Sequence, residues 1–150
     1  MKKLILIFFP ILFLGCATTL PPAGPTSKMI KQADMILLTV DDPPKKAYKN
    51  FAEYLSDNGF ALESTNKNLL FIKTDNRQIA KSNYTYHINA KIKSGDKTII
   101  QISGEGENLV GGNFDIENRG AYKSALKAAW KEFNKLAKSY PHKKIMYKRN

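Results

Sequence analysis

The chain has 150 residues, 43% of them hydrophobic, with one cysteine, two histidines and a formal net charge of +11. That length suits one domain with a modest core, and a lone cysteine excludes a disulfide framework. With so few histidines and cysteines a site built from them is excluded, a carboxylate metal site is not, and no cofactor is expected.

The chain opens with Lys2 and Lys3, an apolar run over 4–14, then Gly15 and Cys16. A bilayer-spanning helix needs about 20 predominantly apolar residues, whereas this run has the length of a signal-peptide core. A small residue followed by cysteine at the end of such a run resembles the lipobox of bacterial lipoproteins, with Phe13 at the position where leucine is most usual. The resemblance implies removal of residues 1–15 and acylation of Cys16, which then anchors the protein to a membrane. An ordinary signal peptide with an incidental cysteine, or an N-terminal membrane anchor, are the alternatives. Ala17, where an aspartate is absent, implies delivery to the periplasmic face of the outer membrane if the cell is Gram-negative. Removing residues 1–15 takes away two lysines and no acid, leaving 22 basic and 13 acidic side chains, a formal charge of +9. Only Arg77, Arg119 and Arg149 are arginines, so lysine carries this charge, and its flexible point charge suits general attraction to anionic surfaces. An exported protein has no routine access to nucleic acid, so that partner is not expected.

Residues 16–33 contain Pro21, Pro22, Gly24 and Pro25 without hydrophobic periodicity and are expected to form a flexible tether. A single domain over 34–141 follows, then a basic tail over 142–150 that is expected to fray. Its first strand is MILLTV, 35–40. Asp41, Asp42, Pro43 and Pro44 supply a capping carboxylate and early proline for a helix, with Tyr48, Phe51, Ala52 and Leu55 on one face and Asn58-Gly59 as its stop. Residues 60–65 and 69–74 read as a hairpin. Over 84–93 the chain alternates strictly, so Tyr84, Tyr86, Ile88, Ala90 and Ile92 share one face and Thr85, His87, Asn89, Lys91 and Lys93 the other. After a turn at 94–96 the buried face continues through Thr98, Ile100 and Ile102, and the Gly-rich segment 104–113 is expected to end the sheet. A final helix over 119–140 carries the stripe Tyr122, Leu126, Ala129, Trp130, Phe133, Leu136, Ala137 and Tyr140, with the row Lys123, Lys127, Lys131 and Lys135 on another side.

These elements predict an α+β fold in the order β-α-β-β-β-β-α, an antiparallel sheet of four to five strands with two helices on one face. The segments Asn58-Gly59-Phe60-Ala61-Leu62, Phe71-Ile72-Lys73-Thr74, Ile100-Gln101-Ile102-Ser103-Gly104 and Ala128-Ala129-Trp130-Lys131-Glu132-Phe133 resemble small bacterial envelope lipoproteins. Their domain is similar to the helix-grip, TATA-binding-protein-like modules of an accessory lipoprotein of the outer-membrane β-barrel assembly machine. The resemblance spans roughly 34–140 and implies no catalytic residues, since the shared positions are apolar and turn residues.

Ser124 and Lys127 make an S-x-x-K spacing, but the chain lacks the downstream motifs and size of penicillin-recognising enzymes. Gly104, Gly106, Gly111 and Gly112 do not form a phosphate-cradling loop. With no convincing nucleophile and base pair, a non-catalytic binding or assembly-accessory module is expected, and a small hydrolase ranks below it. The wet strand face, around Thr85, His87, Asn89, Lys91 and Gln101, is the expected docking surface for an envelope protein partner. Binding of anionic lipid or cell-wall polymer through Lys123, Lys127, Lys131 and Lys135 is the alternative.

Overall fold

A computed structural model describes residues 22–79, 82–118 and 124–150. Cys16, the leader, the first residues of the tether and Lys123 lie outside the described residues. In chain order the elements are β1 (Ala23–Thr26), β2 (Met35–Val40), α1 (Pro44–Asp57), β3 (Leu62–Asn66), β4 (Phe71–Thr74), β5 (Arg77–Gln78), β6 (Tyr84–Lys93), β7 (Thr98–Asn108), β8 (Asn113–Asp115), α2 (Ser124–Ser139) and β9 (Lys144–Arg149). All strands join one antiparallel sheet in the order β1-β9-β2-β7-β6-β4-β3, with β5 beside β6 and β8 beside β7.

The fold is α+β, as the periodicity predicts, but the expected sheet of four to five strands and the order β-α-β-β-β-β-α are corrected to nine strands among the described residues and the order above. Two of the additional strands, β5 and β8, have two and three residues, too short for an alternation to register. The largest correction is at the C-terminus. Instead of fraying, residues 144–149 form β9 between β1 and β2, with Ile36 opposite Tyr147 and Leu38 opposite Ile145. This pairing joins residues about a hundred positions apart, so nothing local to Lys143, Lys144, Lys148 and Arg149 announces it. Within the expected tether, 23–26 pair along β9 as an edge strand, and Pro25 is tolerated at such an edge.

Strand β7 corrects a second expectation. The Gly-rich segment was expected to end the sheet, yet Gly104 and Gly106 lie inside β7, opposite Ile88 and Tyr86. The strand needs glycine there because the chain after it folds back onto the inner face. A Cβ on Gly104 would stand 3.1 Å from Ile116 Cβ, and one on Gly106 would overlap the Phe114 ring. The hairpin returns through Gly111, whose φ of 78° is left-handed.

Helix α1 starts at Pro44, where a missing N–H costs nothing. The expected capping carboxylate is not used: Pro43 holds the cap position without a side-chain hydrogen bond, and Asp42 instead accepts from Asn50 Nδ2 (2.8 Å) and pairs with Lys46 (2.9 Å). Gly59, at φ 79°, ends the helix as expected and donates to Ser56 O (2.9 Å). In α2 the stripe Leu126, Ala129, Trp130, Phe133, Leu136 and Ala137 is buried. Both helices pack in one core with the inward residues Ile36, Leu38, Tyr86, Ile88, Ala90, Ile100 and Ile102. Phe51 and Tyr140 meet edge-on with centroids 5.0 Å apart, and Tyr54 donates to Leu136 O (2.9 Å), which ties one helix to the other. Tyr147 of β9 donates to Asn134 of α2 (2.8 Å), which fastens the last strand beneath the last helix.

The glycine requirement in β7 is testable. Gly106→Ala is expected to destabilise the domain by about 1–3 kcal/mol through overpacking against Phe114, whereas Gly24→Ala, where a Cβ meets no atom within 4 Å, is expected to change little. Urea denaturation of both variants measures the difference.

Candidate functional site

Because the side chains of a strand alternate, placing Tyr86, Ile88 and Ala90 in the core sends Thr85, His87, Asn89 and Lys91 to the outer face. Strand β7 does the same for Gln101, Ser103, Glu105 and Glu107. The register sets Thr85 opposite Glu107, His87 opposite Glu105, Asn89 opposite Ser103, and Lys91 opposite Gln101. All five residues expected at a docking surface therefore lie on one sheet face, opposite the helices. Towards β2 and β9 that face turns apolar, with Leu37 between Gln101 and Met146 and only 9% exposed.

At the end of this face formed by the start of β6 lies a depression of about 590 Å³, lined by residues that include Glu63, Lys73, Asp75, Asn76, His87, Glu105 and Glu107. His87 lines it with a side chain that is 15% exposed. Its Nδ1 lies 3.2 Å from Asn76 Oδ1, which can only accept, so the bond assigns the ring proton to Nδ1. Nε2 then presents a lone pair, 3.5 Å from the Asn89 amide nitrogen and 3.7 Å from Glu105 Oε2. The Asn89 amide also donates to Glu105 Oε1 (2.9 Å), and Lys73 pairs with Glu63 (2.7 Å) across the rim. Burial lowers the His87 pKa below the usual histidine range, Lys73 lowers it further, and Glu105, Glu63 and Glu107 oppose the shift without reversing it.

His87 and Asn89 are the two expected residues that the structure joins in one hydrogen-bonded cluster. Thr85 sits one pair further along, while Lys91 and Gln101 share a row nearer the apolar strip. The expectation missed Glu105, Asn76, Lys73 and Glu63. Glu105 follows from Gln101 and Ser103 by simple alternation, and is overlooked only when Gly104 is taken as the strand end. Asn76 and Glu63 arrive through the sheet order, which places the residues before β5 beside β6 and sets β3 next to β4.

Among the described residues no group of three or more His, Cys, Asp or Glu is placed to hold a metal. The hydrogen bonds of His87 run to two amides rather than to a hydroxyl. A neutral imidazole braced in this way, beside two carboxylates, is equipped to accept donors and to receive cationic groups. On α2, Lys127, Lys131 and Lys135 are exposed at four-residue spacing, as the sequence implies.

The class these observations define is an α+β domain, its inner sheet face covered by two helices and its outer face polar and braced along β6 and β7. Comparison with known proteins finds no family model that matches the chain and no match among curated proteins.

The histidine makes a pH prediction. Its folded-state pKa is lowered, so below about 6.5, the ordinary histidine value, the unfolded chain takes up the proton first and the native state loses stability. In the His87→Gln protein this loss is expected to disappear. Urea unfolding of the two proteins at pH 7.5 and at pH 5.5 checks it, with wild type losing more than the variant on acidification.

Proposed function

We propose that this is a lipid-anchored bacterial envelope protein that acts as a non-catalytic binding or assembly-accessory module, docking a protein partner on its outer sheet face. The observation that carries the reading is the His87–Asn89–Glu105 cluster. Three polar side chains are held in a fixed arrangement on the outer face of β6 and β7, in a depression rimmed by Glu63, Asp75 and Glu107. Ordering side chains before binding reduces the entropy lost on association. In a chain of net charge +11 this rim is a local concentration of carboxylates, so the partner segment it suits presents lysine or arginine side chains.

Anchoring rests on the leader and Cys16, and placement on the periplasmic face of the outer membrane rests on Ala17. Acyl chains contribute about 0.8 kcal/mol per buried methylene, so several of them hold the protein permanently at the membrane. The kinship proposed with helix-grip lipoproteins is supported by the antiparallel sheet with two helices packed on its inner face.

The test is a crosslinking pull-down of the acylated protein from its native envelope. A stoichiometric protein partner is expected with wild type, and its recovery should fall about tenfold or more with Glu105→Lys, on the scale of a lost rim of charge complementarity. Recovery unchanged by Glu105→Lys and His87→Gln together would remove the outer face from consideration.

The exposed line of Lys127, Lys131 and Lys135 favours a second reading, in which α2 rests on anionic lipid or cell-wall polymer. Retention on phosphatidylglycerol vesicles should then weaken steeply between low salt and about 0.5 M, where the screening length falls below about 5 Å.

A further inference from the structure

Far from the His87 depression, at the other end of β6, a separate cavity of about 440 Å³ opens between the start of α1 and the turn joining β3 to β4. Its lining is Lys45, Tyr48 and Lys49 from the helix and Lys67, Asn68 and Leu70 from the turn. Three lysines and, among the described residues, no carboxylate line this space. Lys49 meets Glu53 at 3.7 Å in a pair whose side chains are 75% and 61% exposed, an arrangement too solvated to hold the lysine away from another anion. The first turn of α1 contains no acidic residue and its leading amides receive no side-chain cap, while Asp42 just ahead of it is engaged by Lys46 (2.9 Å) and Asn50 (2.8 Å).

The floor of the cavity differs from its rim. Tyr48 is 7% exposed, and Leu70 is held at φ 49°, a left-handed conformation that a leucine adopts only under constraint. That constraint is visible on both sides of it. Asn66 Oδ1 accepts from the amides of Asn68 and Leu69, and Leu70 O accepts from Ile92 N–H (2.9 Å). The turn therefore holds Leu70 in place, and with Tyr48 it gives the cavity an apolar side among three lysines. A bare inorganic ion would use the rim and leave the floor wet, whereas an unsubstituted apolar molecule would use the floor alone.

We propose that this cavity binds a small anionic amphiphile, a phosphomonoester or similarly charged head attached to an aromatic ring or short alkyl chain. The head lies among Lys45, Lys49 and Lys67, and the apolar part packs on Tyr48 and Leu70. The volume lies within the range of small-molecule sites. Lysines impose no planar, bidentate geometry, so the site selects for charge and an attached apolar body more than for one particular acid. Such a head occurs on membrane lipids and on free metabolites alike. The site is independent of the outer sheet face and stands whether or not that face docks a protein.

The test uses the full-length protein in a neutral alkyl-glycoside detergent, titrated with phenyl phosphate and followed by amide resonances in NMR. Saturable shifts confined to 45–49 and 67–70 are expected, with affinity about tenfold tighter than for inorganic phosphate or for phenyl glucoside. Lys45→Gln, Lys49→Gln and Lys67→Gln together should weaken binding about tenfold or more, while the same three-charge change at Lys127, Lys131 and Lys135 should leave it within about twofold. Equal weakening by both triple variants, or inorganic phosphate binding as tightly as phenyl phosphate, would overturn the proposal in favour of diffuse attraction. Once phenyl phosphate binding is shown, cosedimentation with neutral vesicles carrying phosphatidic acid separates the two sources. Capture that depends on Lys45, Lys49 and Lys67 assigns a bilayer headgroup, and no such dependence assigns a free ligand.

Discussion

With Ile88 opposite Gly104 and Asn89 opposite Ser103, the ten-pair antiparallel register between β6 and β7 decides what both faces of this molecule present. Because strand side chains alternate, a slip of one residue would send Ile88, Ala90 and Ile92 to solvent and bring His87, Asn89 and Lys91 against the helices. Burying lysine and unpaired amides against Phe51 and Phe133 is far costlier than exposing them, so the apolar core holds the register and the register holds the polar cluster. The hydrogen bond between Asn89 and Glu105 is a consequence of that arrangement.

The same strand pair shows how a small domain closes its core without extra length. Strand β7 runs beyond the part its neighbour β2 covers, and the exposed inner surface there is closed by Phe114 and Ile116 folding back over Gly106 and Gly104. Phe114 then meets Tyr84 edge-on at 5.6 Å. On the other side of the sheet, Thr74 Oγ1 is buried and accepts from Ile88 N–H (2.9 Å), which supplies the ladder bond that the short strand β4 does not reach.

Electrostatically the protein divides its charge by place. The chain is strongly basic, yet Glu63, Asp75, Glu105 and Glu107 collect around one depression, and Lys45, Lys49 and Lys67 collect around another at the far end of β6. Lys73 moderates the acidic group through its 2.7 Å pair with Glu63, and the neutral state of His87 avoids placing a second cation beside it. Two regions of opposite sign on one small domain suit contacts with different chemistry at each end.

Sequence periodicity alone established the long alternating strand at 84–93, the apolar strand at 35–40, both helices, and the outward placement of Thr85, His87, Asn89, Lys91 and Gln101. Each follows from the spacing of apolar residues along a single element, a local property. The basic tail that becomes β9, the glycines that lie inside β7, and the company His87 keeps were decided by tertiary structure. Tyr147 has a place in a sheet only because β2 offers an unpaired edge, Gly104 and Gly106 are needed only because Ile116 and Phe114 pack against them, and Glu105, Asn76 and Glu63 join the depression around His87 from β7, the β4–β5 link and β3. Residues distant in sequence meet through strand order, and strand order is selected by burying the whole apolar surface at once, which no single segment encodes.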